Sequence, residues 1–222
     1  MPESRLRIEC VVDPVFQENG YVVFERPGGR CWIIDPSFDP QPQQIAEVID
    51  QQSLTPAAIL ITHCHGDHIV GIDALVDRWP EIDLYVPAAE VDGLGDARKN
   101  LSAAFGIALT VAAKATQTVH PGQALHLDGL AWQVLDVSGH SPGGVAYYCP
   151  AGKAVIVGDA LFAGAIGRTD LPGSSERQLL NNIRRNLMSL PDDVLVYAGH
   201  GPSTTIGHER ATNPFLQPGR IR

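Results

Sequence analysis

Apolar and polar residues alternate at the start of the chain, where Leu6, Ile8, Cys10 and Val12 recur at every second position. That is the period of a half-buried strand. Two further apolar runs, 21–24 and 31–34, flank Pro27-Gly28-Gly29 and predict a hairpin. A short helix is predicted over 43–49, with Ile45, Val48 and Ile49 on one side. A fully apolar strand over 58–61 follows, then a helix over 68–79 that carries Ile72, Leu75, Val76 and Trp79 in one stripe. A short strand is predicted over 84–86. Residues 87–117 are rich in alanine, with small helical patches and no clear period. Strands over 130–137, 145–149 and 154–157 come next, then a helix over 175–190 with Leu179, Leu180, Ile183 and Leu187 at helical spacing. A last strand is expected over 194–197. This order predicts an α/β fold of two similar halves within one domain spanning 1–222, each half a sheet covered by helices, packed sheet to sheet.

With 222 residues, a chain can bury roughly 70% of its unfolded surface and needs no disulfide or metal to fold. Its formal charge of −9 and only three lysines, Lys99, Lys114 and Lys153, oppose binding to a phosphate backbone, so no nucleic-acid partner is expected. The first ten residues lack the apolar core of a signal peptide, and no apolar run approaches the ~20 residues that span a bilayer. The expectation is a cytoplasmic protein with no membrane partner. Cys10, Cys31, Cys64 and Cys149 are scattered without a CxxC pair and read as reduced thiols.

The segment Thr62-His63-Cys64-His65-Gly66-Asp67-His68 joins a predicted strand to a predicted helix. His63 and His65, two apart on extended backbone, point the same way. After a turn at Gly66, Asp67 and His68 can face back to the same point. Three imidazoles and a carboxylate this close would be costly to bury unpaired, so the spacing points to a metal. Cys64, between two ligands, turns the other way and is expected in the core. Three more candidates follow predicted strands, each beside glycine: His140 in Gly139-His140-Ser141-Pro142-Gly143-Gly144, Asp159 after Gly158, and His200 between Gly199 and Gly201. His120, His126 and His208 lack such a context and read as surface or capping residues.

Taken together, THCHGDH, GHSPGG, GDALF, GRTD and GHGPSTTIG resemble the metallo-β-lactamase superfamily, and within it the short hydroxyacylglutathione hydrolase (glyoxalase II) branch. The resemblance runs from Val12 to Leu216. It implies an αββα sandwich and two divalent metal ions, zinc first, with iron and manganese also suited to this mixed donor set. His63, His65 and His140 would bind one ion. Asp67, His68 and His200 would bind the other, and Asp159 would bridge both. It further implies a metal-bridging hydroxide, oriented by Asp67 and Asp159, that hydrolyses a small-molecule thioester. The implied reaction converts S-D-lactoylglutathione to D-lactate and glutathione, in a monomer or homodimer. A thiolate leaves with a conjugate-acid pKa near about 8.5 and needs little help from a general acid. An amide would need a proton donor, and nothing in the sequence aims Tyr147, Tyr148 or Tyr197 at the metals.

One departure matters: longer glyoxalase II enzymes bind glutathione with a C-terminal helical region that does not follow His200 here. Arg98 or Lys99 is the expected contact to a substrate carboxylate. Asp35 is expected to support the ligand loop, and Arg168 with Asp170 to hold the loop after Asp159 by ion pairing. The main alternative is a persulfide dioxygenase with one iron on His63, His140 and Asp159. That family carries an Ala-His-Asp-Tyr-type final loop, whereas this chain has Gly199-His200-Gly201-Pro202. A lactonase and an inactive metal-binding scaffold are further readings. β-Lactamase action is disfavoured by Asp159, a carboxylate that such enzymes lack at the bridging position.

Overall fold

The computed structural model of the chain describes residues 6–217. One six-stranded sheet runs in the order β1 (Arg7–Val12), β2 (Asn19–Phe24), β3 (Arg30–Ile34), β4 (Thr55–Leu60), β5 (Asp83–Pro87) and β6 (Gln117–Val119). Its first two pairings are antiparallel and the remaining three parallel. A second sheet comprises β7 (Ala124–Leu127), β8 (Leu130–Asp136), β9 (Val145–Cys149), β10 (Ala154–Gly158), β13 (Leu195–Ala198) and β14 (Thr204–Thr205). Here β10 and β13 are parallel and the other neighbours antiparallel. A small hairpin, β11 (Leu161–Phe162) with β12 (Ala165–Ile166), stands apart.

Alternation along the strands sorts the core into three layers. Tyr21, Val23, Trp32, Ile34 and Leu60 of the first sheet meet Trp132, Val134, Tyr147 and Ile156 of the second, with Trp32 and Trp132 ring centroids 5.6 Å apart. The opposite side chains of the first sheet, among them Val22, Phe24, Ile33 and Ile59, pack under helices α1 (Gln41–Gln51) and α3 (Ile72–Arg78). On the far side, Val155, Val157 and Val196 pack under α4 (Glu176–Asn182) and α5 (Ile206–Thr212). The result is the expected αββα sandwich. Because β2 contributes to both layers, all six of its residues are buried.

Several elements depart from the expected pattern. The helix expected over 68–79 breaks into α2 (Gly66–Ile69) and α3. At the break the Gly71 N–H donates to Pro36 O at 3.0 Å, and a Cβ on Gly71 would lie 2.5 Å from Ser37 O. The chain must bend there to pass the loop after β3. The helix expected over 175–190 is α4 followed by a wide turn over Ile183–Leu187, closed by Met188 N–H to Ile183 O at 2.9 Å. Residues 87–117 hold two 3₁₀ turns, Val91–Gly93 and Ser102–Phe105. Buried Asn100 pins this stretch by donating to Gly93 O and Leu109 O, both at 3.0 Å. The short strands β6 and β7 and helix α5 are additions to the expected set.

The two sheets are laced together at one end. Val145 N–H donates to Thr62 O at 2.9 Å and Tyr147 Oη–H to Ile61 O at 2.8 Å. Tyr21 Oη–H and Asn19 Nδ2–H both reach Ala198 O, at 2.6 and 2.9 Å. Every candidate ligand lies at this end, just beyond the C-terminal ends of β4, β8, β10 and β13.

Candidate metal centre

The loop after β4 carries His63 and His65 on extended backbone, and α2 starts at Gly66, bringing Asp67 and His68 round within one turn. His65 Nδ1 lies 3.1 Å from His63 Nε2 and 2.9 Å from His140 Nε2. Three ring nitrogens therefore face one point. The other ring nitrogens fix which atoms are free. His140 Nδ1–H donates to Arg168 O at 2.8 Å. His63 Nδ1 meets Thr62 Oγ1 at 3.1 Å, and that hydroxyl spends its own proton on Asp35 Oδ2 at 2.5 Å. His63 Nδ1 is accordingly the donor, which leaves both Nε2 atoms as lone pairs. Burial first, and the neighbouring imidazoles next, hold His63 well below the usual histidine range and push His65 down to about 3. Both are neutral donors at pH 7.

A second pocket adjoins the first. His200 Nε2 lies 3.3 Å from Asp67 Oδ2, and His68 Nε2 lies 4.0 Å from the same oxygen. Asp159 sits between the two pockets: Oδ2 is 3.6 Å from both His140 Nε2 and His200 Nε2, and Oδ1 is 3.4 Å from His68 Nε2. His68 Nε2 and Asp159 Oδ1 are buried without a hydrogen-bond partner. Such atoms are costly unless something electropositive joins them. Burial disfavours the His68 imidazolium, but Asp159 and Asp67 outweigh it and raise its pKa well above the usual value. His200 is likewise raised, burial being outweighed by Asp67 and Asp159. At Asp159 burial favours the neutral acid, yet His68, His200 and His140 hold it below the carboxylate range.

All seven residues expected at the centre are thus brought together, and the groups His63–His65–His140 and Asp67–His68–His200 each have donor atoms close enough to hold an ion. Five imidazoles and two carboxylates fit borderline divalent ions such as zinc or iron. A third grouping, Asp35 with His63 and His68, is close enough but already engaged. Asp35 accepts from Thr62 N–H at 2.7 Å as well as from the Thr62 hydroxyl, and from His68 Nδ1–H at 3.2 Å. It orients the ligands, as expected.

Other expected residues fall in order. Cys64 packs into the helix-covered core, and burial raises its thiol pKa. Arg168 pairs with Asp170 through two 2.8 Å contacts. Tyr147 is spent on the Ile61 carbonyl. Lys99 does not face the centre: it pairs with Asp92 and lines a separate surface hollow. Arg98 is not among the residues lining the cavity over the centre.

Two buried polar residues escaped the sequence reading. Glu90 accepts Gly143 N–H at 2.7 Å and Cys64 N–H at 3.3 Å, tying the His140 loop to the His63 loop. Glu18, fully buried, accepts from Gln41 Nε2–H at 2.7 Å and places Oε1 3.6 Å from His68 Nδ1. Burial raises the Glu18 pKa well above the usual value. An acidic residue in the β1–β2 loop carries no local signal of such a role.

The model of the Metallo-beta-lactamase superfamily matches residues 13–200, the span that contains all seven candidate ligands. The chain belongs to the metallo-beta-lactamase superfamily. Its relatives include the probable metallo-hydrolase YqgX of Bacillus subtilis, 39% identical over 92% of this chain and 94% of that protein. The hydroxyacylglutathione hydrolase GloC of Haemophilus influenzae is 31% identical over 95% of this chain and 98% of its own. Among solved structures, BLEG-1 B3 metallo-beta-lactamase superposes with a TM-score of 0.89 at 35% identity, covering 95% of this chain and 100% of that one. TTHA1623 in a di-iron-bound form gives 0.81 at 36% identity, covering 94% and 100%. The superfamily and the histidine cluster together make the chain a metal-dependent hydrolase.

Proposed function

We propose that this hydrolase uses two metal ions to cleave thioesters of the hydroxyacylglutathione type. The observation that carries the reading is Asp159, whose carboxylate stands within 3.6 Å of imidazole nitrogens from both pockets. The likeness to TTHA1623 in its di-iron-bound form supports two ions, and the likeness to GloC supports the substrate class. Bound there, divalent ions supply water that is deprotonated near neutral pH and a Lewis acid for a carbonyl oxygen. The chain's own residues hold the geometry. Asp67 and Asp159 line the cavity, where their carboxylates would orient the attacking water, and the Asp35–Thr62 pair holds the imidazoles in the tautomer that leaves a lone pair free.

A thioester suits the cavity because no tyrosine or lysine is among the described residues lining it. Without such a donor, a thiolate departs far more readily than an amine. The resemblance to BLEG-1 brings β-lactam amides into the test as competitors.

The test is metal content per chain together with turnover of S-D-lactoylglutathione, a β-lactam and glutathione persulfide, each with and without oxygen. Close to two ions per chain with oxygen-independent thiol release is the expected result. One iron per chain, no thiol release and oxygen uptake with glutathione persulfide would replace this reading with the dioxygenase one. Faster turnover of the β-lactam would replace it with amide hydrolysis.

A further inference from the structure

The apolar lining of the cavity above the centre is formed by Phe16, Phe38, Leu101, Phe105, Ile107 and Leu171. Three separate loops deliver the aromatic rings. Phe16 stacks on Phe38 with centroids 5.2 Å apart and meets Phe105 edge-on at 6.1 Å. Phe105 remains 60% exposed and Ile107 38% exposed, so apolar surface stands open at the mouth of the cavity. The backbone that presents Phe105 is held in an unfavourable conformation: Leu101, a bulky residue, has φ +63° and opens the turn.

Apart from the candidate ligands, the polar residues on the cavity wall already have partners. Asn100 spends its amide on Gly93 O and Leu109 O and its oxygen on Ser102 N–H. Ser102 Oγ accepts Leu109 N–H at 3.1 Å. Among the described residues lining the cavity Arg168 is the arginine, and the Nε–Nη2 edge of its guanidinium is paired with Asp170, whose carboxylate balances its charge. Glutathione carries two carboxylates, and among the described residues this wall sets against them one arginine already balanced by an aspartate.

From this we infer that the preferred substrate carries an aliphatic or aromatic, uncharged arm beside the scissile bond, received by Phe16, Phe38 and Phe105. The inference rests on the thioester reading above and narrows its substrate class. Each methylene buried against such a wall raises kcat/KM about fourfold, the equivalent of about 0.8 kcal/mol.

The experiment compares two matched neutral series on the metal-loaded enzyme, with S-D-lactoylglutathione alongside. One lengthens the acyl chain of N-acetylcysteamine thioesters from acetyl to octanoyl. The other lengthens the thiol of acetyl thioesters. The expected result is a rise of at least tenfold in kcat/KM along one series, ending above the glutathione thioester. Phe105→Ala should flatten that slope and Phe105→Leu should restore part of it. A slope that stays the same in Phe105→Ala, flat profiles in both series, or a preference for S-D-lactoylglutathione over every neutral substrate overturns the inference while leaving the thioester reading standing. No turnover of any thioester refutes the thioester reading, and the inference with it.

Discussion

Replacing Asp35 by asparagine tests how the centre is held. The carboxylate is buried and accepts three hydrogen bonds, from Thr62 N–H, Thr62 Oγ1–H and His68 Nδ1–H. An asparagine can keep the first through its oxygen. Its amide nitrogen, now a donor, faces Thr62 Oγ1 and His68 Nδ1. His68 must then carry its proton on Nε2, the atom aimed at Asp159 and Asp67. Thr62 must turn its hydroxyl proton toward His63 Nδ1, and that moves the His63 proton to its own ligand atom. One substitution thus blocks a donor in each pocket without changing side-chain volume. The charge-assisted bond lost at His68 corresponds to about 1.5–3 kcal/mol, and losses of orienting partners cost about 10- to 100-fold in metal affinity. Calorimetric titration of metal-free Asp35→Asn with zinc, beside a melting curve to confirm folding, reads the effect. Thr62→Val serves as the comparison that removes the hydroxyl between His63 and Asp35 while leaving the Asp35–His68 bond in place, so its effect should be larger on the His63 side. Unchanged dissociation constants at both sites, with unchanged kcat/KM, would refute the tautomer argument.

Other outcomes follow from the same geometry. Glu90→Ala leaves the buried Cys64 N–H and the half-buried Gly143 N–H without their acceptor, at about 2–4 kcal/mol together, and should lower the melting temperature by about 5–15 °C in a scan. Gly199→Ala places a Cβ 2.3 Å from Asp159 Oδ1 and 2.7 Å from His68 Cε1; the variant should fold by circular dichroism yet lose bound metal by elemental analysis. The two pockets should differ in their response to pH. His68 and His200 have raised pKa values, so below those values an ion must displace their protons, and affinity there falls as pH drops. His63 and His65 are depressed, His65 to about 3, so these two rings meet no such competition near neutrality. Dialysis at pH 6 against pH 8 should therefore empty the Asp67–His68–His200 pocket first, and equal loss from both would contradict the assignment.

What could be read from the sequence was what is local. His63, His65, Asp67 and His68 lie within six residues, and one turn of backbone settles their convergence. His140, Asp159 and His200 were recognisable because each follows a strand and sits beside glycine. Glu90 and Glu18 were not, since their partners Gly143 and Gln41 are 53 and 23 residues away and only the folded chain joins them. The guess that Lys99 meets substrate failed for a simple reason: Asp92, seven residues earlier, captures it on the surface. The missed strand β7 did carry a signal, with Leu125 and Leu127 alternating inward. Helix α5 was marked by Thr205 at its N-cap, accepting from His208 N–H, but it has little apolar face beyond Ile206. The motif around it is explained by anchoring: Glu209 accepts from Thr204, Gly164 and Asn213 and fastens the helix to the β11–β12 hairpin.

The division of the donors has a consequence for biosynthesis. His63 through His68 emerge early in translation, whereas Asp159 follows much later and His200 later still, on the loop after β13. That loop docks back on the first half, with Asn19 N–H to Gly199 O at 2.7 Å. A growing chain therefore holds a cluster of imidazoles that has neither its shared carboxylate nor its final wall. A metal ion bound at this centre would clasp loops made early and late in the chain, and a chelator should then hasten global unfolding instead of loosening a single loop.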